Sequence, residues 1–226
     1  MAELKYEVLP DGYEEYNLSF KIIVIGDPGV GKSCLTLKAT KNYFENYYSP
    51  TVGFEFFTIS IKINDKVIRL QIWDTCGQET YRSLINSFYR NASLAILVYS
   101  IEDNKTFSNL GLWLNEIRQQ ANPDEKIFLI GNKADLEDKR EVTFAQANKF
   151  YKENNIHFFI ETSAKTGLNA QAVFVEAAKI LYQEHLKYKT MTNPDQANNI
   201  SIKEQDLHND LNDDEDMQKK KKKKCC

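Results

Sequence analysis

Short, nearly all-apolar runs recur along the chain, separated by stretches whose apolar residues fall at helical spacing. Phe20-Lys21-Ile22-Ile23-Val24-Ile25 is β-branched and apolar almost throughout, as suits a strand buried on both faces of a parallel sheet. Leu94 to Ser100, Lys126 to Ile130 and Phe158 to Glu161 read the same way. Between and after them the pattern predicts helices over Ser33–Lys41, Thr106–Gln120, Phe144–Glu153 and Ala170–Tyr188. In the last of these, Ala172, Val173, Phe174, Ala177, Ile180 and Leu181 form an apolar stripe. Phe54–Ile63 and Val67–Trp73, joined at Asn64-Asp65-Lys66, read as a β-hairpin that adds an antiparallel edge. Strands alternating with helices predict a doubly wound α/β sheet.

Two regions fall outside this pattern. Asn42 to Gly53 is aromatic and polar, broken by Pro50 and Gly53, and reads as a loop. Beyond Met191 the chain turns to Asn, Asp, Gln and Lys, with too few large apolar residues to offset the entropy of ordering, so a flexible tail is expected.

At 226 residues and 42 % hydrophobic content, the chain is long enough for one large domain or two small ones with a sizeable core. The net charge of -3 hides a local asymmetry: the acids Asp213-Asp214-Glu215-Asp216 precede the run Lys219 to Lys224. The body is nearly neutral, which argues against nucleic acid as a partner. Met1 to Leu18 has no apolar run long enough for a signal peptide or a membrane span, so a cytosolic protein with reduced thiols is expected. The positions of Cys34, Cys76, Cys225 and Cys226 suit neither a disulfide framework nor zinc.

Candidate chemistry begins at Gly26-Asp27-Pro28-Gly29-Val30-Gly31-Lys32-Ser33, a complete G-x-x-x-x-G-K-[ST] sequence between a strand and a helix. Such a turn gathers backbone N–H groups and the positive end of a helix dipole around one point, where phosphate fits. Lys32 reaches the β- and γ-phosphates there, and the Ser33 hydroxyl suits magnesium. Asp74-Thr75-Cys76-Gly77-Gln78 leaves another strand at the end where open α/β sheets bind ligands. Its Asp74 can steady magnesium through water, Gly77 can offer an N–H to the γ-phosphate, and Gln78 is placed to orient a water. In Gly131-Asn132-Lys133-Ala134-Asp135 the carboxylate matches the N1 and exocyclic amine of guanine, a donor pair that adenine lacks. The Lys133 stem can pack over the ring. In Glu161-Thr162-Ser163-Ala164-Lys165, the Ala164 N–H suits the guanine oxygen.

Taken in order, GDPGVGKS, YYSPTVG, WDTCGQE, GNKAD and ETSAK resemble the five sequence elements of Ras-superfamily small GTPases, over roughly residues 18 to 190. Within that superfamily the chain looks most like the Rab branch. The resemblance rests on Val52-Gly53-Phe54-Glu55-Phe56, Leu70-Gln71-Ile72-Trp73-Asp74, Phe88-Tyr89-Arg90-Asn91-Ala92, Leu97-Val98-Tyr99-Ser100 and the terminal cysteine pair. It implies a P-loop GTPase fold: a six-stranded, mostly parallel sheet with one antiparallel edge strand and about five helices. The domain would span 18–190, between an N-terminal extension, 1–17, and a hypervariable tail, 191–226.

Nucleotide would be held by Asp27 to Cys34, Phe44, Tyr48, Thr51, Gly77, Asn132, Lys133, Asp135, Ser163, Ala164 and Lys165, and Mg2+ by Ser33, Thr51 and Asp74. Lys32 and Gln78 would be catalytic, and Phe44 would stack edgewise on guanine. Phe56, Trp73 and Phe88 match the aromatic triad of the Rab effector surface. Cys225 and Cys226 resemble the Rab geranylgeranylation signal, two chains being what stable anchoring needs, with the lysines adding attraction to anionic lipid.

These features imply a slow GTPase converting GTP to GDP. It would be a monomer on the cytoplasmic face of an intracellular membrane, cycling with the cytosol and regulating vesicle traffic. Its partners would be an exchange factor, a GTPase-activating protein, a prenyl-delivery escort, a GDP-dissociation inhibitor and effectors. Two positions depart from the family pattern. Pro28 stands where Ser or Gly is usual and lacks an N–H, and Cys76 stands where Ala is nearly universal. They leave open a second reading, a hydrolysis-impaired, GTP-bound docking scaffold on membranes. A phosphotransferase is disfavoured, because nothing resembles an acceptor site.

Overall fold

In a computed structural model, residues 4–44, 51, 53–76, 89–120 and 125–192 are described. The elements are β1 (Tyr6–Val8), β2 (Leu18–Ile25), α1 (Lys32–Lys41), β3 (Phe54–Ile63), β4 (Lys66–Thr75) and β5 (Leu94–Ser100). They continue as α2 (Asn104–Ser108), α3 (Leu110–Gln120), β6 (Lys126–Asn132), a 3-10 turn (Ala134–Lys139), α4 (Phe144–Glu153), β7 (Phe158–Glu161) and α5 (Ala170–Thr192). The chain divides into a unit ending at Leu181 and a second beginning at Tyr182; the described part of the second is the end of α5, to Thr192.

The strands form one sheet in the order β1-β3-β4-β2-β5-β6-β7. Pairing is parallel from β4 through β2, β5 and β6 to β7, and antiparallel at β1–β3 and β3–β4. Burial follows position. Every residue of central β5 is buried, whereas β4 alternates, because its neighbour β3 lies toward the antiparallel edge. In α3, Leu110, Trp113, Leu114 and Ile117 are buried at helical spacing. They pack with Ile23, Leu97, Tyr99 and Leu129 of the sheet. At the start of α4, Thr143 and Gln146 form a reciprocal capping box.

The sheet has seven strands where the sequence pattern predicted six. The added strand is β1, inside the N-terminal extension, which pairs Tyr6 with Ile63 and Val8 with Ile61. The extension is also tied on by Leu9 N–H to the Ser60 carbonyl at 2.9 Å and by a two-way bond between Asn17 and Val67 at 2.8 Å. A three-residue strand carries too little periodicity to be read locally. The helix expected over Thr106–Gln120 is two pieces that meet at Asn109.

Candidate functional site

The strand order brings the carboxyl ends of β4, β2, β6 and β7 to one edge of the sheet, and the loop after each carries one of the motifs. After β2 the chain turns at once, and glycine is required twice. Gly26 (φ 139°) lies so close to β5 that a Cβ would sit 2.2 Å from the Val98 carbonyl oxygen. At Gly31 (φ 92°) a Cβ would meet the Asn132 amide nitrogen at 2.5 Å. Gly31 is also the N-cap of α1 and has no side chain to cap it, and the first turn carries no acid. The first N–H groups of the helix are left for an external anion.

Lys32 is buried beneath this turn, its Nζ donating to the carbonyls of Gly26 at 2.8 Å and Asp27 at 2.9 Å. Burial lowers its pKa to about 8, against the pull of Asp74 and Asp27. The Asp27 carboxylate accepts from Asn109 Nδ2 and Trp113 Nε1, each at 2.7 Å. Pro28 is exposed at the tip of the turn.

Beside α1, the Ser33 hydroxyl lies 2.7 Å from Thr51 Oγ1 and bonds Asp74 Oδ2. Asp74 is fully buried, and its Oδ1 has no hydrogen-bond partner among the described residues. Burial raises its pKa to about 7, opposed by the Ser33 hydroxyl and by Lys32. Three converging oxygens, one a buried carboxylate oxygen left open, form a hard donor set that fits Mg2+. Cys76 is buried, and its N–H bonds the Gly53 carbonyl at 3.0 Å. The strand that delivers Asp74 is thereby joined to the segment after Thr51.

At the other end a cleft of about 480 Å³ is lined by Gly29, Gly31, Cys34, Phe44, Asn132, Lys133, Asp135, Leu136, Ala164 and Lys165. Asn132 holds its walls together. Its Nδ2 donates to the Val30 carbonyl at 2.8 Å, while its Oδ1 accepts the Thr162 hydroxyl at 3.1 Å and the Ala164 N–H at 3.3 Å. Lys133 adopts a left-handed φ of 67° and pairs with Glu102 at 2.7 Å. Asp135 Oδ1 accepts the Ser163 hydroxyl at 2.5 Å. Arg140 clasps both carboxylate oxygens of Glu161 at 2.7 and 2.8 Å and so steadies the start of the Ser163 loop.

A family model described as the Ras family matches residues 21–183. The chain belongs to the Ras family. It is therefore a small GTP-binding switch with GTPase activity, and proteins of this family bind GTP and GDP, typically with Mg2+, and work with exchange factors, activating proteins and effectors.

The described residues bring together the P-loop sequence, Phe44, Thr51, Asp74 and the residues from Asn132 to Lys165 that line the cleft. Tyr48, Gly77, Gln78, Phe88, Cys225 and Cys226 lie outside the described residues. Of the aromatic triad, Phe56 is 49 % exposed and meets Trp73 edge-on at 5.2 Å between centroids. Phe54, which is not one of the expected triad, stands on the other flank of Trp73 at 5.3 Å. Sequence reasoning also missed Glu102, Asn109, Trp113 and Arg140. None lies in a family motif, and each reaches the site across a distance that spacing does not encode.

Proposed function

We propose that this Ras-family GTPase is a Rab-like switch that recruits effectors to an intracellular membrane in its GTP state and so regulates vesicle traffic. The observation that carries the reading is the pair of exposed aromatics, Phe54 and Phe56, on either flank of the half-buried Trp73 on the β3–β4 hairpin, with Lys21 Nζ 5.3 Å from the Trp73 centroid. A solvent-facing aromatic cluster rimmed by a cation suits protein docking. β3 begins at Phe54, shortly after Thr51, and β4 delivers Asp74, so the cluster sits on the covalent link between two ligand-sensing positions. Among the described residues no helix is long and apolar enough to cross a membrane. Attachment would come from geranylgeranyl groups on Cys225 and Cys226, and release from an escort and a GDP-dissociation inhibitor.

In this reading the P-loop and Lys32 hold the phosphates, Ser33, Thr51 and Asp74 would hold Mg2+, and Gln78 orients the attacking water. Mg2+ held by these residues would supply positive charge against the charge that develops on the phosphate. Asp135 selects guanine by accepting its paired N–H donors. With no arginine supplied by a partner, turnover should be about 10⁻⁴ per second.

The test is single-turnover hydrolysis of magnesium-GTP by the wild type, Gln78→Leu and Pro28→Ser, with a double-prenylating transferase and its escort assayed on the full chain. Slow turnover lost in Gln78→Leu, with two prenyl additions lost when Cys225 and Cys226 are changed to serine, supports the reading. Tight GTP binding without turnover, restored by Pro28→Ser, replaces the timer with a docking scaffold, and the absence of prenylation removes the Rab assignment.

A further inference from the structure

Asp27 stands inside the P-loop, yet both oxygens of its carboxylate are taken by side chains of the helical layer. Asn109 Nδ2 donates to Oδ2 and Trp113 Nε1 to Oδ1, each at 2.7 Å. The backbone carbonyl of the same residue accepts Lys32 Nζ at 2.9 Å. One residue is thus gripped from outside the site through its side chain and from inside through its backbone.

Neither outer donor is free to follow the loop. Trp113 is 3 % exposed and packed in the core with Leu110, Leu114 and Ile117. Asn109 sits at the joint between α2 and α3, with its backbone N–H on the Lys105 carbonyl at 3.1 Å. A carboxylate with two donors on fixed elements is a charge-assisted anchor, stronger than bonds between neutral groups. Pro28 follows immediately; its ring fixes its own φ and keeps Asp27 out of the helical region. The turn is held by a covalent constraint on one side and by the anchor on the other.

We propose that Asn109 and Trp113 are positioning residues of the nucleotide site. Through Asp27 they hold the turn in register with Lys32, and so they slow the release of bound nucleotide. The coupling holds whether or not the chain acts in vesicle traffic.

The experiment follows release of a fluorescent GDP analogue from the magnesium-loaded full chain, with the thermal midpoint recorded alongside. It compares Trp113→Phe and Asn109→Leu in the wild-type and Asp27→Ala backgrounds. Each change alone should speed release on the order of fivefold, and in the Asp27→Ala background each should add less than about twofold. Should Asp27→Ala not retain nucleotide through purification, Asp27→Leu runs the same cycle, because it keeps side-chain bulk and presents no acceptor to either donor. A merely structural role would lower the midpoint without this dependence on Asp27. Release within about twofold of wild type in both single variants, or equal acceleration with and without Asp27, would overturn the proposal.

Discussion

The two edges of the parallel part of the sheet each bury a carboxylate, to different effect. At the carboxyl edge Asp74 bonds Ser33, feels Lys32 and keeps one oxygen open where a cation fits. At the amino edge Glu125, just before β6, is 6 % exposed, and neither of its oxygens has a hydrogen-bond partner among the described residues. Its neighbour Lys21 donates to the Arg90 carbonyl at 2.9 Å instead and lies over the Trp73 ring. Burial raises both carboxyls, Asp74 to about 7 and Glu125 to about 8, the latter opposed only by Lys21. A buried carboxyl at the carboxyl edge belongs to a cluster of oxygens that suits a cation; at the amino edge it costs stability once the pH favours its ionised form.

The sharpest way to break the comparison is at the carboxyl edge itself. Gly26→Ala forces a Cβ against the Val98 carbonyl at 2.2 Å in a left-handed backbone, so it should lower stability by at least about 3 kcal/mol, measured by urea unfolding in saturating magnesium-GDP. A loss below about 1 kcal/mol would mean that the loop and β5 separate easily.

Asp74→Ala should speed GDP release by about 10- to 100-fold, the usual effect of losing an outer-shell metal residue. Chelating magnesium should accelerate release from the wild type and add little in the variant. If chelation still accelerates the variant fully, Asp74 does not serve the metal.

Glu125→Gln should show the opposite sign. Its folded pKa is raised, so the favourable contribution is complete below the unfolded value and is lost as pH rises. Between about 4.5 and 8 the unfolded chain ionises while the folded carboxyl keeps its proton, and wild-type stability falls relative to the variant, with no further change above that window. The variant should match the wild type near pH 4 and exceed it by on the order of 1 to 3 kcal/mol at pH 8. Parallel stability curves would show that Glu125 is satisfied in solution.

The smallest effect belongs to Glu102→Ala at the rim of the base cleft. The pair with Lys133 is partly exposed, so GDP affinity should fall only about two- to fivefold, and the difference should shrink in high salt. A larger, salt-independent loss would show that Glu102 orders the whole base-binding loop.

The alternation of apolar runs with helical spacing was enough to place β2, β5, β6 and β7, the hairpin and α4 to within a few residues, because burial on both faces of a parallel strand leaves a continuous local record. The P-loop was legible for the same reason: eight consecutive residues contain its turn, its lysine and its hydroxyl. Asn132 was legible as a residue of the cleft but not as a brace between loops. Its bonds run to Val30 and Thr162, and no local spacing encodes them.

The sequence by itself determined which segments form the parallel core and where the glycine-rich turn, its lysine and its hydroxyl fall, since those follow from periodicity and from motifs of contiguous residues. Only the tertiary structure decided that the N-terminal extension supplies a seventh strand, that Glu102 takes the Lys133 ammonium, and that Asn109 and Trp113 grip Asp27. Trp113 is 86 residues from Asp27 along the chain. A bond across that separation exists only because the sheet order sets α3 beside the P-loop, and an apolar helix position in sequence carries no sign that its indole N–H will meet a carboxylate.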